Sequence, residues 1–521
     1  YIIGAAIFAA NIGSEHLIGL AGAGASSGMA MAHWEIQGWM ILILGWVFVP
    51  FYTRSMVYTM PEFLERRYNP QSRTILSVIS LVSYVLTKVA VTVYAGGLVF
   101  QQVFGIKELW GIDFFWIAAI GLVVLTALYT IFGGMKSVLY TSVLQTPILL
   151  LGSLIILVLG FKELGGWDEM MRVCGAVTVN DYGDTMTNLI RSNDDANFPW
   201  LGALIGSAII GFWYWCTDQF IVQRVLSGKN EMEARRGTIF GAYLKLLPVF
   251  LFLIPGMIAF ALHQKYIGAG GEGFLPMLEN GTANADAAFP TLVAKLLPAG
   301  VKGLVVCGIL AALMSSLASL FNSSAMLFTI DFYKRFRPQT SEKKLVGIGQ
   351  VATVVIVILG ILWIPIMRSV GDVLYTYLQD VQSVLAPGIA AAFLLGICWK
   401  RTSAQGGMWG LISGMVIGLT RLGAKVYYSN AGEVADSTFK YLFYDMNWLF
   451  FCGWMFLFCI IVVIVVSLAT EAPTAEKIQG LVFGTATKEQ KASTRASWNH
   501  WDIIHTVIIL AITGAFYWYF W

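Results

Sequence analysis

Long apolar runs recur along the whole chain, and the shorter stretches between them hold most of the charged residues. A helix needs roughly 20 mostly apolar residues to cross a bilayer core, and each run meets or approaches that length. Because a backbone in lipid must satisfy its own hydrogen bonds, we predict an all-α, polytopic membrane protein. The predicted spans are residues 1–24, 32–53, 73–104, 113–132, 138–160, 199–225, 237–262, 301–331, 345–367, 374–399, 404–423, 447–468 and 501–521.

Polar residues interrupt two of these spans. The first span contains the sequence NIGSEH at residues 11–16, and the sixth contains YWCTDQ at residues 214–219. Lipid alone does not tolerate such groups at mid-depth, so we predict a break in each helix. The two spans hold equivalent places in two successive sets of five, which is typical of transporters built from inverted repeats around a midplane site.

This symmetry predicts the domain organisation. The units are a first half of five spans (1–160), an extracellular loop (161–198), a second half of five spans (199–400), and three further spans (401–521) with a cytoplasmic stretch (469–500). Most of the 33 basic residues fall on the side of Tyr1, which the positive-inside rule assigns to the cytoplasm. The outside loops 161–198 and 263–300 are either caps over an entrance or loose surface loops. Because Tyr1 lies within an apolar run, we expect an earlier span before it.

Composition excludes several classes of protein. Hydrophobic residues make up 57% of the chain and charged residues 12%, too few for the surface of a soluble globule. The net charge of +3, without a basic stretch interleaved with aromatic residues, excludes a nucleic-acid partner. Motifs of zinc proteases, serine hydrolases and phosphate-binding loops are absent, so we predict no enzyme and no organic cofactor. The expected location is the plasma membrane, with the lipid bilayer as partner.

Small and hydroxyl-bearing residues recur at spacings of three and four in the eighth span, on one helical face. They are Ala312, Ser315, Ser316, Ser319 and Ser323. Such a face either lets two membrane helices approach closely or supplies oxygens to a small hard cation. For a sodium ion, the free carbonyls of Ala9 and Ile12 at the first break and the hydroxyls of Ser315 and Ser316 would suffice.

Ionisable residues inside the spans are costly, and they indicate either function or internal ion pairs. They are Glu15, His16, Glu35, Lys88, Asp218 and Lys245. A site for a sugar needs several oriented donors and acceptors and an aromatic face against the ring. The candidates for the polar contacts are Asn11, His16, Glu35, Lys245 and Gln379, and those for the aromatic face are Trp34, Tyr214 and Trp215.

Several long motifs occur in a characteristic order. They are AANIGSEHLIGLAGAGASSGMA at 9–30, YTMPEFLERRYN at 58–69, WYWCTDQFIVQRVLS at 213–227, YLKLLP at 243–248, LMSSLASLFNSSAMLFTIDFY at 313–333 and APGIAAAFLLGICWKR at 386–401. With them the chain resembles the sodium/glucose cotransporter branch of the solute:sodium symporter family over about residues 1–425. The resemblance implies fourteen spans, of which the first would precede Tyr1, and a LeuT-like core of five plus five helices.

The resemblance also implies roles for individual residues. The sodium ligands would be Ala9, Ile12, Ala312, Ser315 and Ser316. The sugar contacts would be Asn11, His16, Glu35, Tyr214, Trp215, Lys245 and Gln379. The inner gate would be Tyr214, and the outer gate would be Leu20, Trp34 and Tyr375.

The chain departs from the family at three positions. Gly211 stands where the family usually offers a polar side chain to the sugar, and Ser142 and Ala318 replace oxygens that bind a second sodium in some relatives. The predicted function is therefore sodium-driven symport of a hexose, glucose or galactose, with one sodium per sugar. The alternatives are a sodium symporter of another polyol or organic solute such as myo-inositol, or a sugar sensor or channel that does not concentrate its ligand.

Overall fold

The computed structural model describes residues 2–13, 15–55, 57, 59–278, 281–370, 373–430 and 435–521, without the side chains of residues 2, 9, 129, 131–146 and 367–370. The described chain is mostly helical, with one antiparallel hairpin of β1 (Glu108–Leu109) and β2 (Ile112–Asp113). The α-helices are α1 Ile2–Asn11, α2 Ala21–Ser27, α3 Ala32–Glu35, α4 Gly38–Ile43, α5 Val49–Ser55, α6 Met60–Arg67, α7 Pro70–Ser83, α8 Ala90–Phe104, α9 Phe114–Leu164, α10 Trp167–Gly175, α11 Trp200–Gly211, α12 Gln219–Leu226, α13 Glu231–Leu244, α14 Ile254–Gly268, α15 Ala288–Leu296, α16 Ala299–Met326, α17 Lys334–Phe336, α18 Glu342–Val370, α19 Leu374–Cys398, α20 Ala404–Asn430, α21 Thr438–Lys440, α22 Trp448–Ala469, α23 Ala475–Ile478, α24 Lys488–Ala496 and α25 His500–Tyr519. Wider π-helical turns are Glu15–Leu20, Leu44–Phe48, Tyr84–Val89, Phe212–Thr217, Val249–Leu253, Leu327–Tyr333 and Tyr441–Asp445, and 3₁₀ turns are Gly28–Met31 and Ala285–Ala287.

In the described part of the chain, each predicted span consists mainly of helical residues. Among the described residues, ten helical stretches are long and apolar enough to cross a membrane, fewer than the thirteen predicted spans. One reason is that the break divides the first span, and another is that α20 is not among the ten. The predicted spans 113–132 and 138–160 both fall on α9, which is one continuous helix of 51 residues, so the predicted loop between them is not seen.

Both predicted breaks are confirmed. Helix α1 ends at Asn11, and Ile12 and Gly13 are not helical; Ser14, also in the predicted interruption, lies outside the described residues. In the sixth span the π-helical turn Phe212–Thr217 ends at Asp218, whose backbone is extended with φ −74° and ψ 127°. The Asp218 carboxylate accepts a hydrogen bond from Phe220 N at 3.2 Å, so it caps the helix that begins after the break.

Glycines hold the two halves of the first span against the seventh. A Cβ atom at Gly4 in α1 would lie 2.6 Å from the Gly237 carbonyl oxygen in α13. Beyond the break, Gly24 in α2 lies against the backbone of Leu253, and Gly256 in α14 lies against the backbone of Ala21. Such close approach of backbones is possible only without a side chain, so each half of the broken span is clamped to its own half of the seventh span.

The long outside loops pack onto the ends of the spans. In the first loop, Met186 O accepts from Met29 N at 2.8 Å, and Leu189 N donates to Phe520 O at 2.9 Å. In the second loop, the carboxylate of Asp286 is buried against α2 and accepts from Leu374 N, the first residue of α19, at 3.2 Å. These contacts favour caps over the alternative of loose loops.

Asp286 predicts a pH-dependent stability. Burial raises the pKa of its carboxyl from 3.8 to about 7, and the hydrogen bond from Leu374 partly offsets this. Between these values the folded state holds a proton that the unfolded state has lost, so stability decreases as the pH rises towards neutral, by on the order of 4 kcal/mol in full. We expect Asp286→Asn to unfold at a higher temperature than the wild type at pH about 8, and we expect this difference to shrink steadily as the pH falls towards about 4. Thermal unfolding in detergent across this range measures the difference, and parallel curves for the two proteins contradict it.

Candidate functional site

A cavity that is partly open to solvent lies where the two broken helices meet. Both breaks contribute to its wall, together with the segment around the end of α3, the end of α13 and one face of α19. The lining residues are Asn11, Glu15, His16, Trp34, Gln37, Ile210, Gly211, Tyr214, Trp215, Lys245, Tyr375, Leu378, Gln379 and Gln382.

The structure brings together most of the residues predicted for the solute, although they come from five separate stretches of the chain. Those in the wall are the predicted contacts Asn11, His16, Tyr214, Trp215, Lys245 and Gln379 and the predicted gate residues Trp34 and Tyr375. Glu35 and Leu20 are not among the residues that line this cavity. Glu35 instead lies behind the wall and holds three lining side chains.

The Glu35 carboxylate is fully buried, and both of its oxygens are occupied. Oε2 accepts from Lys245 Nζ at 2.6 Å and lies 3.3 Å from His16 Nε2. Oε1 accepts from the Tyr375 hydroxyl at 2.6 Å. His16 Nε2 is in turn 3.2 Å from Asn11 Nδ2. Glu35 therefore neutralises Lys245 and fixes side chains from the first, seventh and tenth spans around one point.

Three lining residues carry buried polar atoms without a hydrogen-bond partner in the described part of the chain. These atoms are His16 Nδ1, Trp34 Nε1 and Gln379 Oε1. Buried polar atoms in proteins almost always have a partner, and an orphan in a binding cavity indicates a water or ligand group. The wall therefore offers an imidazole nitrogen, a donor and an acceptor to a molecule in the cavity.

On the aromatic side of the cavity, the Tyr214 ring contacts a buried network of charged side chains. The rings of Tyr214 and Trp215 stand edge to face, with their centroids 5.0 Å apart. Lys88 Nζ lies 4.7 Å from the Tyr214 ring centroid and 3.6 Å from Asp218 Oδ2, and the Tyr84 hydroxyl donates to Asp218 Oδ1 at 2.9 Å. The in-membrane charges Lys88 and Asp218 are thus an internal ion pair that connects the second break to the third span.

The predicted outer-gate residues Leu20, Trp34 and Tyr375 are buried. Trp34 stacks on Trp448, with the ring centroids 5.5 Å apart. A Cβ atom at Gly19 would lie 3.1 Å from the Tyr375 Cβ, so Tyr375 packs directly on the residue before Leu20. Trp34 and Tyr375 thus pack against other helices, and all three side chains are shielded from solvent.

The first break leaves backbone oxygens available. Ile12 N donates to Phe8 O at 2.8 Å, and the next backbone bonds, from His16 N and Leu17 N, are accepted by Gly13 O. Among the backbone bonds of the described residues, none ends on the carbonyl of Ala9 or of Ile12. These are the two carbonyls that the sequence predicts for sodium.

The hydroxyl of Ser316 in α16 faces this break. It lies 2.9 Å from the position that a Cβ atom would take at Gly13, and Glu15 Oε2 lies at the same distance from that position. Ala312 precedes Ser315 and Ser316 by one turn and so shares their face of the helix. The structure thus places one of the predicted α16 hydroxyls, that of Ser316, against the first break.

Sequence reasoning missed several residues of the wall, among them Gln37, Gln382 and Leu378. Gln382 lies one turn after Gln379, so helical spacing from that predicted contact could have found it. Gln37 lies in an irregular segment between α3 and α4, where no periodicity applies. Only its tertiary approach to the sixth span brings it to the cavity.

Two discontinuous helices that meet at a polar cavity inside a bundle of membrane helices define a secondary transporter. The family model of the sodium:solute symporter family matches residues 1–414, and the chain belongs to that family. Sodium/myo-inositol cotransporter 2 of Homo sapiens is 37% identical over 496 residues, covering 93% of this chain and 72% of the relative. Sodium/glucose cotransporter 1 of Ovis aries is 39% identical over 498 residues, covering 90% and 72%.

A solved structure shares the fold. It is a substrate-bound, outward-open state of a Na⁺-coupled sialic acid symporter, with a TM-score of 0.67, 20% identity, and coverage of 91% of this chain and 90% of that one. The chain is therefore a multi-pass membrane protein with a LeuT-like fold. It is a transporter, not an enzyme, and it couples the movement of a solute to that of sodium.

Proposed function

We propose that the protein takes up a hexose, glucose or galactose, together with sodium by alternating access. The observation that most supports this is the set of unpartnered atoms on His16, Trp34 and Gln379 around a single cavity. A hexose carries hydroxyls on every side, and each hydroxyl can donate and accept. Such a solute would satisfy atoms of all three kinds at once.

The pairing of Lys245 with Glu35 favours a neutral solute, while Glu15 is a carboxylate of the wall itself. Lys245 and Glu35 are 2.6 Å apart and compensate each other, so neither offers an unbalanced charge to a ligand. Asn11 and Gln379 contribute amides, which bond hydroxyls without selecting a charge. Trp215 supplies an apolar face of the size of a sugar ring. We assign these contacts, with His16 and Tyr214, to the solute, and Glu35 to the orientation of Lys245.

The second candidate solute is myo-inositol, which the names of the human relative and others like it favour. It shares the hydroxyl-rich ring but lacks the ring oxygen and hydroxymethyl group of a hexose. Uptake into proteoliposomes under an inward sodium gradient, with unlabelled glucose, galactose and myo-inositol as competitors, separates the two. Sodium-driven accumulation of a hexose supports the proposal. Binding without accumulation indicates a sensor or channel instead.

We propose the predicted sodium ligands as the ion site, and their arrangement supports it. The hydroxyl of Ser316 faces Gly13 in the first break, next to Ile12 and after Ala9 in the chain, and Ala312 and Ser315 lie on the same face of α16. The site adjoins the solute cavity because Asn11, next to Ile12, lines its wall. Binding of the ion would therefore order the same segment that contacts the solute.

The gates are proposed in the same way. Tyr214 is half-buried above the Lys88 and Asp218 pair and would close the cytoplasmic side of the cavity. Leu20, Trp34 and Tyr375 would close the outer side, where they are already packed. Alternating access then requires the two layers to open in turn.

We predict a coupling ratio of one sodium per solute. The reason is that Ala318 offers no side-chain oxygen where some relatives bind a second sodium; Ser142, the other departure, lies outside the described side chains. A potential of about 100 mV contributes about 2.3 kcal/mol per charge, and a tenfold sodium gradient adds about 1.4. One ion thus supports accumulation of roughly 500-fold. The reversal potential of the solute-coupled current measures the ratio, and a value corresponding to two ions contradicts the prediction.

A further inference from the structure

The backbone conformation at Gly211, the last residue of α11, does not require a glycine. Its φ of −62° and ψ of −40° are helical, and any residue can adopt them. A glycine also weakens a helix relative to alanine. The surroundings of Gly211 explain why a glycine is present. A Cβ atom at this position would lie 2.5 Å from Gln37 Oε1, 3.0 Å from Cδ and 3.2 Å from Nε2. The whole amide of Gln37 occupies the place of a side chain at 211.

The orientation of this amide is determined by the sixth span. Gln37 is 2% exposed, and its Nε2 donates to the Ser207 carbonyl oxygen at 2.8 Å, one turn before Gly211. If the Gln37 amide were flipped, its Oε1 would face the Ser207 carbonyl oxygen, and two acceptors would be in contact. This is the one hydrogen bond of the Gln37 side chain among the described residues. Since both Gln37 and Gly211 line the cavity, the amide oxygen remains as an acceptor beside it.

We propose that Gln37 Oε1 accepts a hydrogen bond from one hydroxyl of the solute, and that Gly211 is a positioning residue that makes room for this amide. The inference rests on the proposed transport of a hydroxyl-rich ring. Because the oxygen accepts and is anchored at one angle, it selects a hydroxyl at one ring position and rejects a hydrogen or a fluorine there.

The test uses the full-length protein in proteoliposomes and three variants, Gln37→Met, Gly211→Ala and Gly423→Ala. Methionine keeps the length of the side chain without its amide, and alanine at 211 displaces the amide without changing it. Gly423 is the matched control, because a Cβ atom there meets nothing within 4 Å. The probes are whichever of D-glucose, D-galactose and myo-inositol the wild type accumulates, with its full set of monodeoxy analogues as competitors.

We expect Gln37→Met to weaken the apparent affinity for the parent solute by roughly 5- to 100-fold. For one deoxy analogue, the one that lacks the partner hydroxyl, the affinity should not change. Gly211→Ala should shift the same analogue profile, and Gly423→Ala should match the wild type.

Equal losses for all analogues, or none, overturn the role of Gln37 while the transport of the parent solute stands. If Gln37→Met does not fold, the profile of Gly211→Ala decides in the same way. A wild type that accumulates none of the three solutes overturns the proposed function, and this role with it.

Discussion

Uptake of solute is expected to be lost in Glu35→Ala. The substitution leaves the Lys245 ammonium, which is 4% exposed, without its partner at 2.6 Å. It also removes the acceptor for the Tyr375 hydroxyl and the neighbour of His16. Breaking a buried ion pair from one side costs roughly 3–5 kcal/mol. Such a cost corresponds to a fall of more than about 100-fold in affinity or folded population.

Two measurements distinguish a loss of folded protein from a loss of solute affinity. They are the recovery of a monodisperse protein in detergent and the uptake by the recovered fraction. Glu35→Gln keeps an acceptor for Tyr375 but not the charge, so it should fold better and still transport poorly. Glu342→Ala removes an exposed acid at the start of α18 and serves as the matched control. Wild-type solute affinity in Glu35→Ala would remove Glu35 from the organisation of the cavity.

Ser316→Ala is expected to abolish sodium-dependent uptake without changing expression. The Ser316 hydroxyl is the α16 oxygen placed against the first break. A cation that relies on a few neutral oxygens loses roughly 1–3 kcal/mol with each. The sodium concentration for half-maximal uptake should therefore rise by roughly 5- to 100-fold.

The matched control is Ser324→Ala, two turns further along the same helix. Its hydroxyl is buried and has no hydrogen-bond partner among the described residues, so its loss should leave sodium activation unchanged. Uptake as a function of sodium concentration, at constant ionic strength, compares the two variants. Sodium activation of wild-type shape and midpoint in Ser316→Ala would exclude the proposed ion site.

Hydropathy predicted the membrane helices well because lipid imposes both a length and a composition. The tenth span, expected at 374–399, is α19 Leu374–Cys398, and the twelfth, expected at 447–468, is α22 Trp448–Ala469. The local winding was not predictable in this way. The π-helical turn Tyr84–Val89 lies inside an unbroken apolar run, and hydropathy does not report how that run is coiled.

For the site, the sequence was informative where a polar residue is out of place in lipid. Asn11 and Gln379 were found for this reason, and both line the cavity. Glu35 was found as well, but its position behind Lys245 depends on how the second and seventh spans meet. Gln37 and Gly211 show the limit most clearly, because their contact is between complementary shapes on different helices, and a single sequence carries no record of it.

The glycine contacts between the first and seventh spans have a mechanical consequence. Helix α1 is clamped to α13 and helix α2 to α14, each through backbone contact that admits no side chain. If the pair of α1 and α13 tilts relative to the pair of α2 and α14, the short connecting segments must therefore bend. These segments are residues 12–20 in the first span and 245–253 in the seventh. These segments contain Ile12, His16 and Lys245, residues proposed to hold the ion and the solute. The ion and the solute would then bind to the segments about which the two helix pairs tilt. A small change in the order of these segments would produce a large displacement at the far ends of the helices.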